Sequence, residues 1–259
     1  MYSVTKRISM IKQPRGGYIN KKELTITQLE DGITLNESEN IHASLVGLAV
    51  DYMTRFMMGA EREGAFSISL KGAMSLDLFT ADKKQSAMKN AVKLLSDIEG
   101  IDKKSITNAC KLAGYDVCFR AGIMGYRPVE EINPDADTIE NIMTMINRSI
   151  SFWKEYGPIT KDGFTFEGGY TDTISTGDGD YLAKDTLWDF KVSKDEPKPK
   201  YTLQLLVYYI MGMHSVHKEF KSIKNLGIYN PRMNKVYTVD IDTISRSVID
   251  EVSKEVIGY

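Results

Sequence analysis

The sequence predicts a mixed α/β fold whose sheet comes mainly from the C-terminal half, preceded by a mostly helical region. Three observations carry this. Between residues 36 and 156 apolar residues recur at three- and four-residue spacings, the signature of amphipathic helices. From Phe164 onward, short β-prone runs bounded by Gly, Pro, Asn and Asp take over, with one helix between the second and third strand. No period repeats and no low-complexity linker interrupts the 259 residues, so one compact domain with a helical lobe is expected. Its parts are a core helix over 36–59, a mostly helical insertion over 60–160, and the core sheet with its helices over 161–259.

Residues 1–20 are basic and hold the breakers Pro14, Gly16 and Gly17, which predict a short strand and a turn. Leu24–Leu35 alternates in part and predicts a strand or hairpin. Asn36-Glu37-Ser38-Glu39 offers cap residues and first-turn acids for a helix whose apolar face is Ile41, Leu45, Leu48, Tyr52 and Phe56, ending at Gly59. Residues 60–80 suit strand or helix. Ala81–Leu95 and Lys103–Ala121 read as helices, the latter with Ile106, Cys110, Ala113 and Val117 inward. PVEEINPDAD, residues 128–137, reads as a loop with two prolines and several acids. Asp137–Tyr156 is a helix stopped by Gly157-Pro158.

The central stretch is Phe164–Gly212. FTFEGGYTDTI reads as a strand with Asp172 near its end, STGDGD as a hairpin turn, and LWDFKV as the second strand. STGDGD lacks the spacing and final Glu of a calcium loop. A helix follows, YTLQLLVYYIMGM. Ser222–Tyr229 and Lys235–Ile241 read as strands joined by Asn230-Pro231-Arg232-Met233-Asn234, and Thr243–Ile257 as a closing amphipathic helix.

Composition limits the function classes. Net charge is −2 with a pI near 6.0, so contact with nucleic acid depends on a local patch. Cys110 and Cys118 are too few for a four-thiolate site or an iron–sulfur cluster, and they fit a reducing, cytoplasmic compartment. No apolar run is long enough to span a membrane, and the first residues lack the apolar stretch of a signal peptide.

Two carboxylates and a lysine carry the chemistry. Residues two apart on a strand share a face, so Asp189 and Lys191 point one way and Phe190 the other, towards a core. Acid-x-lysine also occurs at Asp82, Asp102 and Glu196, where a surface ion pair is the plain reading. Around Asp189 the residues Leu187, Trp188, Phe190 and Val192 make a buried strand, where ionisable groups are costly without a purpose. With Asp172, the set suits Mg²⁺ or Mn²⁺ and a phosphate. Gln204 and Tyr208 are one helical turn apart and share a face.

The order Gly169-x-x-Asp172, Asp189-x-Lys191, Gln204-x-x-x-Tyr208 resembles the RecB-like branch of the PD-(D/E)XK nuclease superfamily. The resemblance covers Phe164–Gly212, about a fifth of the chain. It implies a restriction-endonuclease-like mixed sheet flanked by helices, and a metal-dependent nuclease or exonuclease acting on DNA, with RNA not excluded. Asp172 and Asp189 would bind the metal, helped by the backbone carbonyl of Phe190. Lys191 would be the catalytic lysine, with Gln204 and Tyr208 supporting it or the substrate backbone. Family members often add an acid or histidine from an N-terminal helix. Gly47-x-x-x-Asp51 matches that element best, ahead of Glu39 and His42, although a half-exposed helix acid is an equal account of Asp51. The cluster-binding cysteines of some relatives are missing, as is a GxxxxGK[ST] loop, so a helicase or recombination partner would be a separate chain. Lys194, Lys198 and Lys200 in KDEPKPK offer phosphate contacts, or form an ordinary solvated loop. Trp153 and Trp188 read as core, and His214 and His217 lack a third zinc ligand. The alternative function is a nucleic-acid-binding or assembly module that keeps the fold without cutting; a pure interaction protein is the third.

Overall fold

The computed structural model describes residues 1–79 and 86–259. The chain is α/β and divides into two compact units, one of Met1–Glu30 with Phe152–Tyr259 and one of Asp31–Ser151. The helical unit therefore begins well before residue 60 and takes in the expected core helix.

The first unit holds a mixed sheet. Its strands are β1 (Tyr2–Ser3), β2 (Thr25–Gln28), β3 (Ile159–Phe164), β4 (Ile174–Thr176), β5 (Gly179–Ala183), β6 (Thr186–Phe190), β7 (Asn225–Asn230) and β8 (Lys235–Asp240). Six of them run β2-β8-β7-β6-β5-β3, all antiparallel except the β6–β7 pair. That parallel pair needs a crossover, supplied by the helix Pro199–His214. β6 is buried at all five positions, as expected of an interior strand covered on both faces. One face carries Leu187 and Leu182 into a core with Leu203, Leu206 and Val207 of the crossover helix. The other is aromatic: Phe152 stacks on Tyr229 at 3.9 Å and meets Trp188 edge-on at 4.9 Å. Trp153 and Trp188 are thus core residues, as the sequence suggests.

The helices are α1 (Val4–Met10), α2 (Ala43–Met57), α3 (Arg62–Ala65), α4 (Ser67–Phe79), α5 (Ala87–Ser96), α6 (Lys103–Ala113), α7 (Asp116–Arg120), α8 (Ala136–Tyr156), α9 (Pro199–His214) and α10 (Arg246–Glu251), the last running into a π-helical turn over Val252–Ile257. α8, the C-terminal strands and their connecting turn fall close to where the sequence places them. Four expectations need correction. The N-terminal segment forms α1, capped by Ser3 and burying Val4 and Ile8 one turn apart, rather than a strand and turn alone. α2 starts at Ala43 behind His42, not at Asn36–Glu39, and its buried stripe is Val46, Ala49, Val50, Tyr52 and Met53. Lys103–Ala121 is two helices, broken at Gly114-Tyr115. FTFEGGYTDTI is a strand end, a turn and a short strand. The expected helix Ala81–Leu95 lies partly outside the described residues, and Asp82-x-Lys84 wholly so; the described part of that helix is α5. Among the described residues no helix is long and apolar enough to cross a membrane.

The helical unit is tied by buried polar groups as well as by apolar packing. Asp116 accepts from Tyr52 Oη and Ser69 Oγ, each at 2.5 Å, and pairs with Arg120. Burial pushes the Asp116 carboxyl above its usual range although these donors oppose the shift.

Candidate functional site

The β5–β6 hairpin builds the site. Its turn passes through Lys184, whose φ of 52° is left-handed, and Asp185. STGDGD is therefore the lead from β4 into β5 and not the hairpin turn. The register sets Tyr181 opposite Trp188. One step further along, Asp180 falls opposite Asp189, on the face that receives α9. The Phe190 amide donates to Asp180 Oδ2 at 2.9 Å, fixing that carboxylate at the end of β6.

Asp189 is 1% exposed. Its Oδ1 accepts from Lys191 Nζ at 2.8 Å. Lys191 lies just past the strand, where its own amide bonds to Tyr229 O at 2.9 Å. Burial opposes the lysine's charge, but the Asp189 and Asp180 carboxylates outweigh it and hold the pKa above the ordinary value. Lys191 is therefore a cation at neutral pH.

α9 supplies the back of the site. Gln204 Nε2 donates to Tyr208 Oη at 3.0 Å. Tyr208 is buried and stacks on Phe166 at 5.0 Å. Burial, with the nearby charges of Asp180 and Asp189, raises its pKa, so the phenol stays neutral. One turn earlier, the Tyr201 ring centroid lies 5.3 Å from Lys191 Nζ and 5.0 Å from Lys200 Nζ. Tyr201, Gln204 and Tyr208 thus form a stripe at helical spacing along one side of α9.

The structure brings together Asp189, Lys191, Gln204 and Tyr208, with Phe190 contributing its amide. Asp172 is not among them. It is exposed on a bend, where Thr171 Oγ1 donates to Ile257 O at 2.6 Å and Thr173 O accepts from Tyr2 N at 2.9 Å. That bend is joined to the chain's two ends rather than to β6. Asp180 takes the place expected of Asp172. Sequence reasoning missed it by treating STGDGD as a turn. The available signal was the alternation of Asp180 and Leu182, which puts an acid nine residues before Asp189 across a tight turn. Tyr201 carried no comparable signal, because an aromatic in an apolar helix reads as core.

No family model matches this chain, and neither a curated protein nor a solved structure does.

The remaining candidates have other surroundings. Asp51 belongs to the helical unit, where its Oδ1 accepts from Arg55 Nε at 3.1 Å. Glu39 accepts from Asn141, and His42 caps α2 by accepting from Ser44 N. His217 Nε2 sits 2.9 Å from Thr165 O, and His214 stacks on Tyr259. In the basic loop, Lys198 pairs with Asp195 at 2.8 Å, while Lys194 and Lys200 are exposed. Among the described residues no group of three or more His, Cys, Asp or Glu side chains is placed to hold a metal. The donor set at β5–β6 is two carboxylates, Asp180 and Asp189. Hard oxygen donors of this kind fit Mg²⁺ or Mn²⁺, ions that retain several waters and need few protein ligands.

Proposed function

We propose that this chain is a divalent-metal-dependent nuclease of the RecB-like, restriction-endonuclease-like type, hydrolysing phosphodiester bonds of DNA. The observation that carries the reading is the placement of Asp180, Asp189 and Lys191 on the α9 side of one hairpin, backed by Gln204 and Tyr208. Asp180 and Asp189 are the residues that would hold Mg²⁺ or Mn²⁺. When bound, the ion supplies Lewis-acid stabilisation of charge on the scissile phosphate.

The chain's own residues do the rest. The Phe190 amide orients Asp180 before any ligand arrives. Lys191, charged and within a partly buried site, stabilises negative charge that develops as water attacks phosphorus and the leaving oxygen departs. It is not a base in this state, because its proton is held by the flanking carboxylates. Tyr208 and Gln204 present neutral hydrogen-bonding groups, which fix positions without adding negative charge beside a phosphate.

A non-cutting nucleic-acid-binding or assembly module is the second reading. The 2.8 Å Lys191–Asp189 pair favours it, since the buried acid receives a counter-charge from within the chain. The deciding experiment is cleavage of labelled single- and double-stranded DNA with Mg²⁺ or Mn²⁺, wild type beside Lys191→Ala and Asp180→Asn. Metal-dependent cutting lost in both variants is the expected result. A folded wild type that binds DNA and cuts with neither metal establishes the second reading instead.

A further inference from the structure

We infer that residues 12–22 form a basic strap that guides the phosphodiester backbone of the substrate towards the site, an inference that rests on the nuclease reading above. The segment KQPRGGYINKK carries Lys12, Arg15, Lys21 and Lys22 and no acid before Glu23. In a chain of net charge −2, that is a local concentration of positive charge.

Its position ties it to the site. The strap leaves α1, turns with Gly17 N bonded to Pro14 O at 2.9 Å, and passes Gly16 and Gly17 at φ of 92° and 89°. A Cβ on Gly17 would lie 2.9 Å from Pro199 Cβ, so the strap runs in contact with the first residue of α9. Ile19 is buried, and its carbonyl accepts from Thr202 Oγ1 at 3.4 Å. Lys21 forms an ion pair with Glu196 of the loop before α9. These anchors fall around Pro199 and Thr202, next to Tyr201 at the edge of the site.

Charge distribution then separates strap from loop. In the loop, Asp195 takes up Lys198, and Glu196 takes up both Lys21 and, at 3.8 Å, Lys235. Lys200 lies over the Tyr201 ring. Lys198 is therefore matched by an acid of the loop itself. Lys12, Arg15 and Lys22 are exposed, and among the described residues no ion pair engages them. Glu23 is held in a capping box by the Asn20 amide, and Glu251 accepts from Tyr18 Oη at 3.0 Å. Lys12, Arg15 and Lys22 thus present their charge to a polyanion at this edge. Arg15 sits at the tip of the turn, where a guanidinium can pair two phosphate oxygens.

The test is fluorescence anisotropy with the full chain and fluorescein-labelled single- and double-stranded DNA in Ca²⁺, over a series of salt concentrations. The probe variant is Lys12→Glu/Arg15→Glu/Lys22→Glu. The control is Lys218→Glu/Lys221→Glu, two exposed cations just beyond the opposite end of α9. The strap variant should bind at least about tenfold more weakly, and its log K against log salt slope should shrink by about 2–3 for three lost phosphate contacts. The control should bind as wild type, and kcat of the strap variant at saturating DNA with Mg²⁺ should stay within about twofold of wild type. Unchanged binding by the strap variant overturns the strap while leaving a cutting wild type as a nuclease. Equal losses in strap and control variants overturn it too, since a diffuse field then explains both. A folded wild type that neither binds nor cuts removes the nuclease reading and the strap with it.

Discussion

At the scale of single residues, the question is which acid partners Asp189. The stretch FTFEGGYTDTI alternates like a strand, and that alternation put Asp172 on it. Two local interactions override the pattern. A Cβ on Gly169 would lie 2.2 Å from Met211 O, so the chain there presses against α9 and turns instead of extending. Thr171 Oγ1 then accepts from the Thr173 and Ile174 amides, a side-chain-to-backbone turn that competes with a sheet ladder. Asp180 lies within β5, where its carboxylate accepts from the Phe190 amide. Asp180→Asn and Asp189→Asn should each lower cleavage about a hundredfold or more, while Asp172→Asn stays within about threefold. Full activity in Asp180→Asn beside a dead Asp172→Asn would reverse the assignment. Tyr201 gives a finer test. If its ring steadies the Lys191 ammonium, Tyr201→Phe should retain kcat and Tyr201→Leu should lose about three- to thirtyfold in kcat with KM little changed. Equal behaviour of the two variants would assign Tyr201 to packing alone.

At the scale of elements, legibility followed how far each element's ends were decided locally. α8 was readable because an apolar period persists over five turns before Gly157-Pro158 stops it. The start of α2 differs because Asn36, a good cap in isolation, is taken by α8, as is the nearby Asn40. Asn36 N donates to Asn141 Oδ1 at 2.7 Å, and Asn40 N donates to Thr138 Oγ1 at 3.0 Å. No local pattern reports such long-range partners. α9 was readable as a helix, but its seating was not. Gly212 lies in its last turn where the Phe220 ring packs, and a Cβ there would fall 2.1 Å from that ring. Gly212→Ala should therefore destabilise by about 1–3 kcal/mol through overpacking. Urea unfolding of this variant checks it, and a midpoint equal to wild type would show that Phe220 moves aside freely.

At the scale of the whole molecule, the sequence shows that helices dominate early and strands late, because the change of period from near 3.6 to near 2 is a global signal. It does not show that the helical unit spans 31–151, since that boundary is drawn by contacts between distant segments. One such contact lies between the unit's two ends. Arg148 of α8, 8% exposed, donates to Asp31 Oδ2 at 2.5 Å and Oδ1 at 3.0 Å, and to Ile33 O at 2.6 Å. The Arg148 hydrogen bonds hold the Asp31 carboxyl below its ordinary value of 3.8, against a smaller opposing effect of burial. A depressed carboxylate contributes stability that is fully present above the unfolded value and is lost as pH falls through the folded one. Asp31→Asn should then be less stable than wild type by about 1–3 kcal/mol at neutral pH, the range for hydrogen bonds to a charged group. That difference should stay constant down to about pH 4 and shrink below 3.8 as the wild-type carboxylate takes up its proton. Urea unfolding of both proteins from pH 7 to pH 2.5 measures it. A gap that persists undiminished at the acid end would mean that the Asp31 charge contributes nothing, and that the loss in Asp31→Asn comes from uncharged contacts of the side chain.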